Sequence, residues 1–141
     1  MMVEAETTGR SGGRVAVPEL WPPGAAALIA EWRARWPAAF TKAVPLAAGF
    51  SGQIKAALRA EDRPIDRKTV SMAIHLWTRQ SAYLRAVARG EMRRNLDGSE
   101  AGLPDDAACQ EAQRLLDERA ARHAERARRE RERQLAAAPT A

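Results

Sequence analysis

The chain has 141 residues, a formal net charge of +5 and a sequence pI of about 10.3, which sets one domain with one modest core as the expectation. Its one cysteine, Cys109, excludes an intrachain disulfide and a cysteine-based zinc site and fits a reducing compartment. No apolar run is long enough for a membrane span, and no charged-then-apolar leader opens the chain, so a soluble cytoplasmic protein is expected.

Three regions follow from charge and composition. Residues 1–24 hold 2 basic and 3 acidic side chains, a balance of −1. They are rich in glycine and poor in apolar surface, as in a disordered tail. Trp21, in Leu20-Trp21-Pro22-Pro23, is either an anchor docking on the domain or an exposed tail residue. Residues 25–119 form the expected domain. Residues 25–104 hold 13 basic and 7 acidic side chains, a balance of +6, and residues 105–141 hold 8 of each. A basic excess confined to the folded part points to a polyanion.

A first helix is expected over Ala25–Trp36, with Leu28, Ile29, Trp32 and Trp36 on its apolar face and Pro37 stopping it. Trp36-Pro37 and Phe40 then turn the chain back on the core. Pro45 to Phe50 is a loop in which Gly49 marks special backbone geometry. Ser51 is the expected cap of a short helix, Gln53 to Ala60, with Ile54, Ala57 and Leu58 inward. Asp66 suits the N-cap of the next helix, where Val70, Ala73, Ile74 and Trp77 recur at the spacing of one buried face. Tyr83, Leu84 and Val87 continue an apolar stripe to Gly90, a helix stop. Asp97-Gly98 signals a β-hairpin with a type I′ turn. Asp105 or Asp106 caps a last helix whose stripe runs through Ala108, Cys109, Ala112, Leu115 and Leu116. Cys109 reads as a small core residue. Beyond Arg119 the apolar pattern fails, and residues 120–141 read as a charged helical extension that frays.

Catalytic chemistry has little support. Neither His75 nor His123 has companions at metal-ligand spacing, and no phosphate-loop, nucleophile-elbow or metalloprotease motif occurs. The expectation is a protein that is not an enzyme, with no cofactor, no metal and no small-molecule substrate. The functional candidate is the cluster from Asp66 to Arg94. There Arg67, Lys68, Arg79, Arg85, Arg89, Arg93 and Arg94 meet only Asp66 and Glu91, 7 − 2 = +5. Such a run is often a solvated face. The scarcity of acids, and cations near helix ends where backbone N–H groups can share a phosphate, favour nucleic-acid binding.

These residues resemble the FinO/ProQ domain, a bacterial family of RNA-binding proteins and RNA chaperones. Trp36-Pro37 with Phe40, Pro45-Leu46 with Gly49, and Leu76-Trp77-Thr78, Tyr83-Leu84, Gly90, Arg93 and Leu96-Asp97-Gly98 follow the family signature in order. The resemblance covers about Ala25 to Arg119. It implies a mainly α fold, a compact five-helix domain with a small β-hairpin, and binding of structured RNA. The preferred form would be a terminator-like hairpin with a single-stranded 3′ tail, as in small RNAs and mRNA 3′ ends. Such a protein would act as a cytoplasmic, monomeric RNA chaperone or post-transcriptional regulator. Tyr83 and Arg93 match the family's RNA-contacting tyrosine and arginine. Arg67 and Arg114 match basic positions on the third and last helices.

The expected RNA-binding set is Arg67, Lys68, His75, Arg79, Tyr83, Arg93, Arg94 and Arg114. Tyr83 can stack on a base or donate its hydroxyl, so Tyr83→Ala is expected to weaken tail binding without unfolding the domain. The start of the third helix can present N–H groups to the RNA backbone. The sequence departs from the family at Ala47, Asp66, Ser71, His75 and Ala82, where basic or small hydroxyl residues are common; an acid at Asp66 can repel a phosphate. Two other classes fit parts of the chain. One is a helix-turn-helix DNA-binding regulator built from Gln53–Ala60 and the helix from Arg67. The other is a structural protein docking a partner through its charged C-terminal helix.

Overall fold

The computed structural model describes residues 21–64 and 66–139. The expected N-terminal tail, apart from residues 21–24, lies outside these residues. Among the described residues six helices run in order: α1 (Pro23–Arg35), α2 (Pro37–Phe40), α3 (Phe50–Ala60), α4 (Arg67–Thr78), α5 (Ser81–Ala88) and α6 (Asp106–Ala137). One more helix than expected forms because Pro37, at the first helical position, restarts the chain after it ends α1.

The core is aromatic at its centre. Phe40 lies between Trp32 and Trp77, with ring centroids 5.5 and 5.3 Å away, and all three side chains are fully buried. Ala25, Ile29, Ile54, Leu58, Val70 and Ala73 surround them. α1 packs on α4 and α2, while α5 packs on α6. Trp21 is half-buried against the core, which settles it as an anchor. Cys109 is half-buried and outside the core cluster, on the flank of the buried stripe. The indole N–H groups of Trp32 and Trp77 are buried without a hydrogen-bond partner. That is a cost accepted for ring packing.

Local chemistry sets the helix ends. Asp66 caps α4: its carboxylate accepts from the Thr69 N–H at 3.3 Å and from the Thr69 hydroxyl at 2.8 Å. Asp105, the first of the two candidates, caps α6 through the Ala108 N–H at 2.8 Å. Ser51 is not the cap of α3. The helix starts earlier, from Gly49 at φ +85°, a left-handed conformation that glycine adopts without strain. α5 closes on Gly90, whose N–H donates to the Val87 carbonyl while the Glu91 N–H reaches back to Ala86.

The Asp97-Gly98 turn differs from the expected one. Gly98 has φ +91°, but Asp97 does not have a positive φ, so the turn is not type I′. The Gly98 and Ser99 segment instead closes a wider turn, with Gly98 N–H to Asn95 O and Asn95 N–H to Ser99 O both at 2.9 Å. Among the described residues the chain forms only isolated bridges here, Arg94 with Glu100 and Arg94 with Leu46, and no strand. Gln53 on α3 clamps the turn through Asn95 Oδ1 at 3.0 Å and the Leu96 N–H at 3.3 Å.

α6 is continuous to Ala137, so the extension is helical well past Arg119. Its alanine, arginine and glutamate content favours helix, and ion pairs one turn apart support it, such as Arg128 with Glu125 and Glu132.

Candidate RNA interface

The expected pair of Tyr83 and Arg93 does meet, and the Leu46 peptide joins them. The Tyr83 hydroxyl accepts from the Leu46 N–H at 3.0 Å. Arg93 Nη1 donates to the Leu46 carbonyl at 2.8 Å. One residue of the Pro45-Leu46 loop therefore fixes, through its main chain, a helix side chain and a side chain from the segment after Gly90. That loop is itself held by backbone bonds, Arg94 N–H to Pro45 O at 2.8 Å and Ala47 N–H to Arg94 O at 2.9 Å. Burial pushes the Tyr83 phenol up from its ordinary value, against the opposing pull of the Leu46 N–H and the neighbouring Arg93. It is neutral at physiological pH.

The Tyr83 ring is only 7% exposed and belongs to the core. The expected open stacking platform is absent: too little of the ring face is accessible for a base to lie on it. Polar chemistry at its hydroxyl end is what remains.

Tyr83 and Arg93 open onto a recess of about 260 Å³. Arg79 and Thr78 from the end of α4 form one side, and Ala108, Glu111 and Leu115 of α6 the other. Arg79 is exposed. Lys68, Met72, His75 and Arg79 recur at intervals of four, three and four, so they share one face of α4, and all four are exposed. This face leads from the recess to a second one, about 200 Å³, lined by Pro22, Gly24, Lys68, Thr69 and Met72 at the start of α1 and α4. Lys68 and Arg79 lie ~16 Å apart along the helix axis.

The remaining expected residues are placed differently. Arg67 is exposed at the start of α4. The anion site expected there is occupied, because Asp66 takes the Thr69 N–H and its carboxyl is held below the usual range by the Thr69 hydroxyl and N–H. Arg94 serves the loop with its backbone; its side chain reaches the Gly98 carbonyl at 3.4 Å and Glu100 at 4.0 Å. Arg114 is held between Glu111 at 2.7 Å and Glu118 at 2.5 Å, which raise its pKa further, and it stands off the recess. Glu111 and Leu46 carry no mark in the sequence that assigns them to the site. The carboxylates three before and four after Arg114 were the available signal for its neutralisation.

The helix-turn-helix geometry is not formed. α3 and α4 share little contact, and α4 packs on α1 instead. Among the described residues no group of three or more His, Cys, Asp or Glu side chains is placed to hold a metal. No described helix is long and apolar enough to cross a membrane.

The family model for the ProQ/FINO family matches residues 24–129. The chain belongs to the ProQ/FINO family. No curated protein matches it. Among solved structures, the chain is similar to NMB1681 from Neisseria meningitidis MC58, a FinO-like RNA chaperone. The match has a TM-score of 0.54 and 24% identity, and covers 63% of this chain and 89% of that one. At that identity the likeness concerns the fold. The matched region of this ProQ/FINO chain contains the whole recess and the exposed α4 face.

Proposed function

We propose that the chain is an RNA chaperone or post-transcriptional regulator that binds structured RNA, with terminator-like hairpins carrying a single-stranded 3′ tail as the preferred form. The observation that carries this reading is the joining of Tyr83 and Arg93 through the Leu46 main chain, at the mouth of a recess, in a member of the ProQ/FINO family.

Guanidinium carries five N–H donors. One of those on Arg93 is spent on the Leu46 carbonyl, and others remain for a phosphate of the 3′ tail. The neutral Tyr83 hydroxyl accepts from Leu46 and can donate its own hydrogen to the same phosphate or to a ribose. Arg79 adds charge at the rim. The stem would then lie along Lys68, His75 and Arg79, where contacts to the phosphate backbone position a duplex without reading its sequence. Arg67 extends that line at the start of α4. Arg94 supports it through the loop, and Arg114 would join only after release from its carboxylates. Small RNAs and mRNA 3′ ends are the natural carriers of such hairpins, and one domain per RNA would suffice for a monomer in the cytoplasm.

The test measures affinity for a synthetic hairpin with a 3′ oligouridine tail, the same hairpin cut to a blunt end, and the duplex DNA counterpart, over a range of salt. The tailed RNA should bind best, with log K falling by ~0.7–0.9 per neutralised phosphate per unit of log salt. Arg93→Ala should reduce the preference for the tail. Equal binding of all three ligands, or a flat salt dependence, would remove this function.

A further inference from the structure

We propose that the extension of α6 beyond the domain is a second contact for the phosphate backbone, a line of arginines that carries the stem of a bound RNA away from the recess. It rests on the RNA-binding reading above.

The equal count of acids and bases after residue 104 conceals a separation. Residues 105–118 hold Arg114 against Asp105, Asp106, Glu111, Asp117 and Glu118, 1 − 5 = −4. Residues 119–141 hold seven arginines against Glu125, Glu130 and Glu132, 7 − 3 = +4. The negative end of α6 packs on the domain and the positive end projects from it. The helix spans ~48 Å.

The arginines are also ordered around the helix. Arg119, Arg122, Arg126, Arg129 and Arg133 recur at intervals of three, four, three and four, on one face. That face is the one that builds the recess. Ala108, Glu111 and Leu115 line the recess, and steps of three or four residues lead from them through Arg119 to Arg133 on the same face. Arg119 marks the junction, with Nη1 donating to the Ser81 hydroxyl at 3.0 Å at the start of α5. An RNA strand seated at Tyr83 and Arg93 therefore meets the arginine line on the same side of α6. The line runs ~21 Å with a positive charge about every 5 Å, which suits a continuous polyanion better than a single acidic side chain.

Carboxylates already touch three of these arginines. Arg122 lies 3.7 Å from Glu118, Arg129 lies 2.8 Å from Glu125, and Arg133 pairs with Glu130. All are exposed, and pairs of that kind are weak enough for phosphate to displace. Arg126 has no ion pair among the described residues.

The experiment uses the full chain and charge-matched pairs of substitutions. Arg126→Gln/Arg129→Gln removes two charges from the line, and Arg128→Gln/Arg131→Gln removes two from other faces. Glutamine keeps the helix propensity of arginine, and circular dichroism checks helix content. The probes are two synthetic RNA hairpins with the same loop and 3′ oligouridine tail, one with a long stem and one with a short stem. The first pair should weaken long-stem binding roughly five- to tenfold and reduce the salt slope by about 0.9 for each phosphate no longer neutralised. The second should change it less than about twofold, and neither should matter much for the short stem. Equal losses for the two pairs, or no loss, would overturn the proposal. Arg93→Ala separates the two readings: if it weakens both hairpins while the arginine pairs do nothing, the recess stands and the line does not. If the wild-type chain binds neither hairpin, both are wrong.

Discussion

Replacing Tyr83 with phenylalanine tests the joint between fold and site. The ring keeps its volume, so the packing of a side chain only 7% exposed is preserved. What is lost is the hydroxyl that accepts from the Leu46 N–H at 3.0 Å. Leu46 is 1% exposed, so water does not readily replace that acceptor. A buried donor left unpaired costs about 1–3 kcal/mol. Each kcal/mol lowers the Tm of a domain of 60–100 residues by roughly 4–8 °C, so a central loss of ~2 kcal/mol predicts a fall of roughly 8–16 °C. Thermal unfolding followed by far-ultraviolet circular dichroism reads this, and urea unfolding should show a lower midpoint at an unchanged m-value. An unchanged Tm would refute the structural role of the hydroxyl. Tyr83→Ala, expected to leave the domain folded, removes a ring that belongs to the core. Emptying an aromatic core site costs about 3–5 kcal/mol, a large share of the roughly 5–15 kcal/mol that typically holds a domain together. Tyr83→Phe, assayed well below its Tm, is therefore the cleaner probe of whether the hydroxyl also donates to RNA; loss of tail preference is the expected result.

Two further outcomes concern the turn and the cap. Gly98→Ala should destabilise by about 2 kcal/mol or more, because φ is +91° and the new Cβ would stand 2.8 Å from Ala38 Cβ; adding Ala38→Gly should recover the steric part alone, measured by chemical denaturation. Asp66 has a folded pKa below its unfolded value of about 3.9, so its cap contributes stability above that pH and loses it as pH falls through the folded pKa. Asp66→Asn keeps a capping side chain and should flatten the dependence of Tm on pH below about 4, where a wild-type profile identical to the variant's would count against the cap.

The helices were legible where a local rule met no competitor. Asp66 and Asp105 each precede an apolar periodic run and offer a carboxylate to orphan N–H groups, and both cap as read. Gly90 stops α5 for the same local reason. The errors lie where distant chain decides. Ser51 had the chemistry of a cap, but Gly49 already supplies the turn into α3. The Asp97-Gly98 pair suited a type I′ turn, but Gln53, 43 residues from Leu96, holds a wider one. The site shows the same division. The sequence supplied Tyr83 and Arg93 by resemblance; it offered no sign that the main chain at Leu46 would join them, because a peptide group has no residue signature. Resemblance also supplied Arg114, which the structure pairs with the glutamates one turn away on either side, Glu111 and Glu118.

Glu111 turns that last point into a prediction. Glu111 forms part of the recess wall, yet a recess that receives phosphate gains nothing from a negative charge beside it. Glu111 is held below the usual carboxylate range chiefly by its hydrogen bonds to Arg114, and also by the charges of Arg114 and Arg79. It is therefore ionised at neutral pH, and it draws positive potential away from Arg79 at the rim of the recess. Glu111→Gln removes that charge but keeps the length and polarity of the side chain. Arg114 retains Glu118 at 2.5 Å, so the α6 surface keeps an ion pair. The substitution should raise affinity for the tailed hairpin by roughly two- to fivefold at low salt, with the gain shrinking as salt screens it. Stability should hardly change, because the ion pairs of Glu111 are exposed. Titrations at low and at physiological ionic strength give the comparison. A loss of affinity with the fold intact would mean that Glu111 accepts a hydrogen bond from the RNA, from an exocyclic amine or a ribose hydroxyl, and that the recess reads a nucleoside rather than a phosphate.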